Sequence, residues 1–275
     1  MSMKFAFCTC VQIGLSCMES IYRIDGKLDL ILSLNDHKSV NKSGRIYVDE
    51  FAARNSIPVV KINHINDKET IAALKKHKID WLFIIGWSQI ASKEVIETPN
   101  KGAIGAHPTL LPIGRGRAAI PWAIIKGLDT TGVTVFKMDE GVDTGLILEQ
   151  IEVPVNNEET AATLYLKINK AHETVIEKVY PMLCDDKVIG VSQDESKSTY
   201  WAGRKPEDGE LFLNMSLDTV DRLIRATTKP YPGAFIILKN EKFIIWSGIK
   251  GIHQSASFVL VFGDGKYSVF QFEKV

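Results

Sequence analysis

The chain has 275 residues, room for about two domains at ~150 residues each, with 45% hydrophobic and 24% charged residues. Those values are ordinary for a folded globular protein and exclude a disordered tail, a collagen-like fibre and a disulfide scaffold. Lys plus Arg and Asp plus Glu both number 33, so no net charge draws the whole chain to nucleic acid or an anionic membrane, and any bound anion must be met locally.

Residues 3–9 form a short apolar run, followed beyond Gly14 by Leu15, Met18, Ile21 and Tyr22 at helical spacing, which predicts a strand feeding a helix. The stretch 5–15 is apolar enough for an export signal, but Gly14 stands where a lipobox before Cys17 needs a larger apolar residue, so it reads as the first buried strand. Three of the four cysteines (Cys8, Cys10, Cys17, Cys184) share this segment, and no Cys/His cluster has zinc spacing. The expectation is a reducing cytoplasm and no metal. No run of 18 apolar residues occurs, so no membrane span is predicted.

Residues 57–62 read as a strand, and Asn66 reads as the cap of a helix with Glu69 three positions later and Ile71, Ala72, Leu74 and Lys75 following. Residues 81–85 are the next buried strand, stopping at Gly86. Alternating strands and helices predict an α/β fold with a doubly wound, mostly parallel sheet, whose ligands sit beyond the carboxyl ends of the strands. Residues 118–126 read as a helix, with Pro121 in its first turn and Gly127 as its stop. Alternating runs at 132–138 and 146–153 predict two strands joined by the turn 139–145. Asn156, with Glu159 at the capping-box position, opens a long helix whose face carries Leu164, Ile168, Ala171, Val175 and Val179 and which Pro181 ends.

The polar run 185–198 reads as a linker, which divides the chain into a domain of residues 1–190 and a smaller one of residues 191–275. In the latter, Ser216 caps a short helix with Val220, Leu223 and Ile224. Compact strands follow at 234–238, 243–246, 257–262 and 266–272, the last two joined by a hairpin turn at Gly263, Asp264 and Gly265. These strands predict a β-rich, barrel-like or open-roll domain.

Among six histidines, His107 stands out. It lies in Gly102-Ala-Ile-Gly-Ala-His-Pro-Thr-Leu-Leu-Pro112, where glycines allow close backbone approach and Pro108 stiffens the loop beyond. Asp143, flanked by Gly141 and Gly145, reads on spacing alone as a turn-forming aspartate.

With their whole segments the two residues read differently. The run His107-Pro-Thr-Leu-Leu-Pro-Ile-Gly-Arg-Gly-Arg-Ala118 is similar to the His-x-Ser-Leu-Leu-Pro-x-x-Arg-Gly segment of formyltransferases that use 10-formyltetrahydrofolate, and Met138-Asp-Glu-Gly-Val-Asp-Thr-Gly145 is similar to their second signature. Arg204-Lys-Pro-Glu-Asp-Gly209, Arg225-Ala226 and Pro230-Tyr-Pro-Gly-Ala-Phe235 resemble the C-terminal portion of the subgroup acting on nucleotide-linked amino sugars. The resemblance implies that residues 1–190 are the catalytic domain and that His107 and Asp143 are catalytic. It also implies that the folate lies beside the loop of Ile85, Gly86, Trp87, Ser88 and Gln89, to which Asp139 is added. Trp87 offers an apolar floor for the pterin and reads equally as core packing. For the nucleotide diphosphate and sugar the candidates are Thr109, Arg115, Arg117 and Arg204, because guanidinium matches phosphate geometry; either Arg115 or Arg117 also reads as a surface charge or a structural ion pair.

One departure is plain. The family places an Asn two residues before the His, its amide holding the formyl oxygen, and this chain has Gly105. Loss of one oxyanion donor costs ~3 to 4 kcal/mol, whereas positioning two reactants supplies roughly 7 to 11 kcal/mol. A water, a backbone amide or Thr109 takes over, or the reaction is slower or altered. The resemblance implies transfer of a formyl group to the amine of a UDP- or dTDP-linked amino deoxysugar, with no nucleic acid or membrane partner, in a homodimer. The alternatives are a methionyl-tRNA formyltransferase, which a neutral chain with an acidic linker disfavours, and a folate or nucleotide-sugar binding module without catalysis.

Overall fold

The structure is a computed structural model and describes residues 2–39 and 44–275. They fall into two compact units: Met1–Arg115, Gly132–Glu152 and Ile168–Tyr200 make one, and Gly116–Thr131, Val153–Lys167 and Trp201–Val275 make the other.

The first unit is built on seven strands, β1 (Phe5–Cys8), β2 (Leu30–Leu34), β3 (Val59–Ile62), β4 (Trp81–Ile84), β5 (Gly102–His107), the short β6 (Arg115–Gly116) standing apart, then β7 (Thr130–Lys137) and β8 (Leu146–Pro154). The sheet order is β3-β2-β1-β4-β5-β7-β8. The first five of these in space are parallel and β7 runs antiparallel to β5. Every residue of β1, β2 and β4 is buried, as expected of parallel strands covered on both faces. On one face Ala6, Cys8, Leu30, Leu32, Leu82 and Ile84 pack under helices α4 (Lys68–His77) and α5 (Lys93–Glu97). On the other, Phe5 lies against Phe83 and against Tyr180 of α7 (Ala161–Cys184), and Arg23 of α1 (Gln12–Arg23) pairs with Glu173 and Glu177. Two short helices, α2 (Asp36–Ser39) and α3 (Asp49–Arg54), complete the set of this unit, while α6 (Ala119–Ile125) belongs to the second unit.

The second unit has its own core. Strands β10 (Ala234–Leu238), β11 (Glu241–Lys250), β12 (Phe258–Phe262) and β13 (Gly265–Lys274) form an antiparallel sheet in the order β10-β11-β13-β12, with β9 (Tyr200–Trp201) paired to β6. Val220, Leu223 and Ile224 of α8 (Leu217–Thr227) pack on Ile236, Ile245, Leu260, Tyr267 and Val269. Ser216 caps α8 by accepting from the Thr219 N–H. The Gly263-Asp264 turn joins β12 to β13, and its Asp264 Oδ1 accepts the Leu217 N–H at 2.7 Å. The four strands pair as an open sheet with β10 and β12 at the edges.

Four local expectations change. Asn66 does not cap α4: its side chain accepts from the Ser92 N–H and donates to the Ile90 carbonyl, and Asp67 occupies the cap position, accepting from the Asn63 and His64 N–H groups. The helix expected from Asn156 opens at Ala161, where Thr160 and Thr163 bond reciprocally, although Glu159 does reach back to the Asn156 N–H. Pro181 does not end α7. It removes the N–H that would bond the Glu177 carbonyl, yet buried Val179, Tyr180 and Leu183 hold the last turn. The run 185–198 is not a slack linker. Val191 bridges Ile147, Asp194 caps a 3-10 turn at Glu195–Lys197, and Gln193 and Glu195 are engaged as described below. The strand Leu30–Leu34 has no counterpart among the expected elements.

Candidate active site

His107 is the last residue of β5 and Asp143 lies in the turn between β7 and β8. The antiparallel pairing of β5 with β7 sets His107 opposite Thr134 and Gly105 opposite Phe136. The loop after His107 is pinned by Thr134, whose hydroxyl donates to the Thr109 carbonyl at 2.7 Å and accepts from the Leu111 N–H and from Gln150 Nε2. A buried hydroxyl with all of its hydrogen-bonding capacity engaged holds a loop rigidly.

The His107 ring is 7% exposed. Its Nε2 lies 2.8 Å from the Gly114 carbonyl, which can only accept, so Nε2 carries the proton. The neutral ring therefore offers Nδ1 as an acceptor, and Nδ1 stands 3.5 Å from Asp143 Oδ2. Two acceptors facing each other at that distance are favourable with a proton between them: the pair takes a proton from a third group or holds one as imidazolium and carboxylate. Behind it, His172 on α7 is buried and donates Nδ1–H to the Ile168 carbonyl; burial brings its pKa down to about 4, the backbone bond opposes this, and the electrostatic influence of the neighbouring His107 adds to the lowering. His172 is thus a neutral neighbour.

Asp143 has a backbone φ of 58°, in the left-handed region. The carbonyls of Asp143 and Gly145 each accept from Gln193 Nε2 at 2.8 Å, while Asp139 Oδ1 accepts from the Gly141 N–H and the Thr144 hydroxyl. Asp139 is thereby a turn-holding residue, exposed, in the place expected for a folate ligand.

Gly105 lacks more than a side chain. A Cβ there would lie 2.7 Å from Phe136 Cζ and 3.2 Å from Met138 Cγ, so the Phe136 ring fills the space that the expected Asn would enter. Thr109 is buried, and its hydroxyl makes no hydrogen bond with any described residue.

The candidate folate loop is divided in function. Ile85 is buried and donates its N–H to the Cys8 carbonyl; Gln89 accepts from the Ile65 N–H and donates to the Asn63 carbonyl. Those groups are engaged within the chain. Gly86 has φ 67°, and a Cβ there would meet Val11 Cγ2 at 2.4 Å. Trp87 packs its ring against the core while its buried Nε1–H makes no hydrogen bond with any described residue, and Ser88 is exposed. A cavity of 390 Å³ lined by Lys93, Ile96, Lys101, Lys137, Met138 and Asp139 opens on the same unit, and its Met138 also borders Gly105.

Arg115 does not offer a phosphate site. Its side chain is fully buried and all five N–H donors are engaged, by Gln193, by Glu195 and by the Tyr200 hydroxyl. The bond to Glu195 raises the guanidinium further and holds the Glu195 carboxyl below its ordinary range. Arg117 and Arg204 belong to the second unit. Arg117 is exposed beside Gly203, and Arg204 donates to the Asp208 carbonyl at 2.6 Å with its guanidinium 5.1 Å from the Trp122 ring centre. Sequence reasoning missed Gln193 and Phe136; the first lay hidden in a polar run, the second in an alternating strand.

The model of the formyl transferase family matches residues 37–180, and that of the formyl transferase C-terminal domain matches residues 204–266. The chain is 34% identical over 243 residues to the bifunctional polymyxin resistance protein ArnA of Wigglesworthia glossinidia brevipalpis, covering 88% of this chain and 36% of that protein, so it spans about a third of that relative's length. Among solved structures it resembles WlaRD, a sugar 3N-formyl transferase crystallised with dTDP and 5-N-formyl-THF, at a TM-score of 0.70 and 20% identity, covering 98% of this chain and 97% of the other. It also resembles methionyl-tRNA formyltransferase from Clostridium thermocellum, at a TM-score of 0.66 and 19% identity over 99% of each chain. At those identities the structures establish the fold.

Proposed function

Because the chain belongs to the formyl transferase family, we propose that it is an N-formyltransferase moving the formyl group of 10-formyltetrahydrofolate to the amino group of a UDP- or dTDP-linked amino deoxysugar for surface glycan synthesis. The observation that carries this reading is the approach of His107 Nδ1 to Asp143 Oδ2 at 3.5 Å, with the outer ring nitrogen tied to Gly114. The likeness to the sugar 3N-formyl transferase WlaRD supports the acceptor class, and the neutral charge disfavours tRNA.

In this reading the amine nitrogen attacks the formyl carbon and gives its proton to the Asp143 carboxylate, which shares it with Nδ1 of the neutral His107 ring. The proton then passes from this pair to the departing folate nitrogen as its bond to carbon breaks. The Thr109 hydroxyl is the donor proposed for the formyl oxygen in place of an amide at position 105. The Trp87 Nε1–H, which meets no acceptor among the described residues, and the close backbone at Gly86 fit a flat, acceptor-rich pterin. Arg117 and Arg204 are proposed for the nucleotide diphosphate, and the working form is proposed to be a cytoplasmic homodimer.

A second reading, binding of folate or nucleotide sugar without turnover, is favoured by the Phe136 ring beside Gly105. Tetrahydrofolate release from 10-formyltetrahydrofolate, followed with a panel of UDP- and dTDP-linked amino sugars or with charged initiator tRNA, separates these. Turnover is expected on an amino sugar and is expected to fall by ~10² to 10⁴ in His107→Ala and Asp143→Asn. Turnover on tRNA alone, or near-normal rates in either variant, would overturn the assignment; binding of both ligands with no turnover would establish the second reading.

A further inference from the structure

We infer that Gln193 is a positioning residue for the reacting pair, holding Asp143 by its backbone, and that buried Arg115 ties this hold to the one on His107. The inference rests on the reading that His107 and Asp143 form that pair. Both ends of the Gln193 amide are committed. Nε2 donates to the carbonyls of Asp143 and Gly145, and Oε1 accepts from Arg115 Nη2 at 2.7 Å and Nε at 3.1 Å.

The hold falls where the backbone needs one. A residue other than glycine in the left-handed region is disfavoured by its own Cβ, aspartate less than most, so a hold on the neighbouring carbonyls adds to what keeps Asp143 at φ 58°. One amide nitrogen gripping the carbonyls on both sides of Thr144 fixes the turn and hence the aim of the Asp143 carboxylate. Arg115 fixes the amide in turn. Its remaining donors reach Glu195 and the Tyr200 hydroxyl, its own N–H donates to the Thr199 carbonyl, and the Gly114 N–H donates to the Thr199 hydroxyl. The Gly114 carbonyl is the acceptor for His107 Nε2. Both members of the pair therefore refer to one buried guanidinium and the segment 193–200, His107 through Gly114 and Asp143 through Gln193.

The test uses Gln193→Glu and Gln193→Ala in the full chain. Glutamate matches the size and still accepts from Arg115, but it sets a carboxylate oxygen against two carbonyls; alanine removes the grip, while the Val191 to Ile147 bridge remains. In both, kcat for tetrahydrofolate release is expected to fall by on the order of 10² with KM for the folate changing little, because misplacement of a reacting group by ~1 Å acts on the chemical step. Crystal structures of both variants are expected to show Asp143 out of the left-handed region and its carboxylate withdrawn from His107. Wild-type kcat in either folded variant, a loss confined to KM, or an unmoved Asp143 would overturn the inference. If the wild-type chain turns over no acceptor, the proposed reaction fails, and the conformation of Asp143 in the variants still decides the role of Gln193.

Discussion

A single glycine carries the sharpest physical statement about this site. At position 105 the resemblance calls for an amide, and the structure puts an aromatic edge within 2.7 Å of where its Cβ would be. Gly105→Asn alone should therefore overpack the strand, lowering stability by about 1 to 3 kcal/mol, while Phe136→Ala alone opens a cavity costing about 3 to 5 kcal/mol. Because each change relieves the other, the double variant should be more stable than the sum of the two losses predicts. Denaturant midpoints of the four proteins measure the coupling, and strict additivity would show that the ring and the missing side chain do not share a space. Turnover belongs to the same experiment: if the amide is what the site lacks, the double variant gains rate and the Gly105→Asn variant does not. Arg115 makes the complementary point. Its sequence context suggests a phosphate ligand, but a guanidinium with every donor committed is part of the scaffold.

At the scale of elements, α7 shows how a correctly expected helix brings an unexpected titrating group. The periodicity of Leu164, Ile168, Ala171 and Val175 identifies the buried face, and all four are buried. His172 follows one position after Ala171 and is buried too, which periodicity alone does not foretell. Its pKa is about 4 when folded and near the ordinary 6.5 when the chain is unfolded. Between those values the unfolded chain binds the proton and the folded chain does not, so stability is highest above pH 6.5 and falls as pH drops toward 4, by roughly 3 kcal/mol for this group. His172→Leu should flatten that part of a stability curve measured by urea unfolding from pH 7 to 4; an unchanged slope would place the acid sensitivity elsewhere. The hairpin from β12 to β13 was legible in the chain to within a residue at its turn, since Gly-Asp-Gly between two apolar runs leaves few other conformations; Gly265 itself starts β13. Asn66 was misread because a cap is decided by which neighbour reaches the side chain first, and here the 90–92 segment does.

The whole molecule is two cores whose chain segments interleave. Besides 201–275, the second unit takes 116–131 and 153–167 from the middle of the chain, and α6 packs on α8 within it. A fragment ending at Tyr200 would keep α6 with its buried Ala119, Ile120, Ala123 and Ile124 but lose the partner for that face. Such a fragment is expected to unfold well below the intact chain or to aggregate, as read by thermal unfolding and light scattering; equal stability would mean that the first core needs nothing from the second. The sequence by itself determined the α/β class, the β-rich C-terminal part, the turn that carries Asp143 and the family, because period, turn chemistry and ordered motifs are local properties of the chain, whereas the strand Gly102–His107 that ends in His107 was not legible in its glycine-rich run. Only the tertiary structure decided that Arg115 is an anchor, that Gln193 grips the Asp143 turn, that Phe136 occupies the space at Gly105 and that the polar run 185–198 is a brace. Those outcomes depend on which groups meet across 30 to 80 positions, and a hydrogen-bond donor looks the same in sequence whether it faces water or a buried carbonyl.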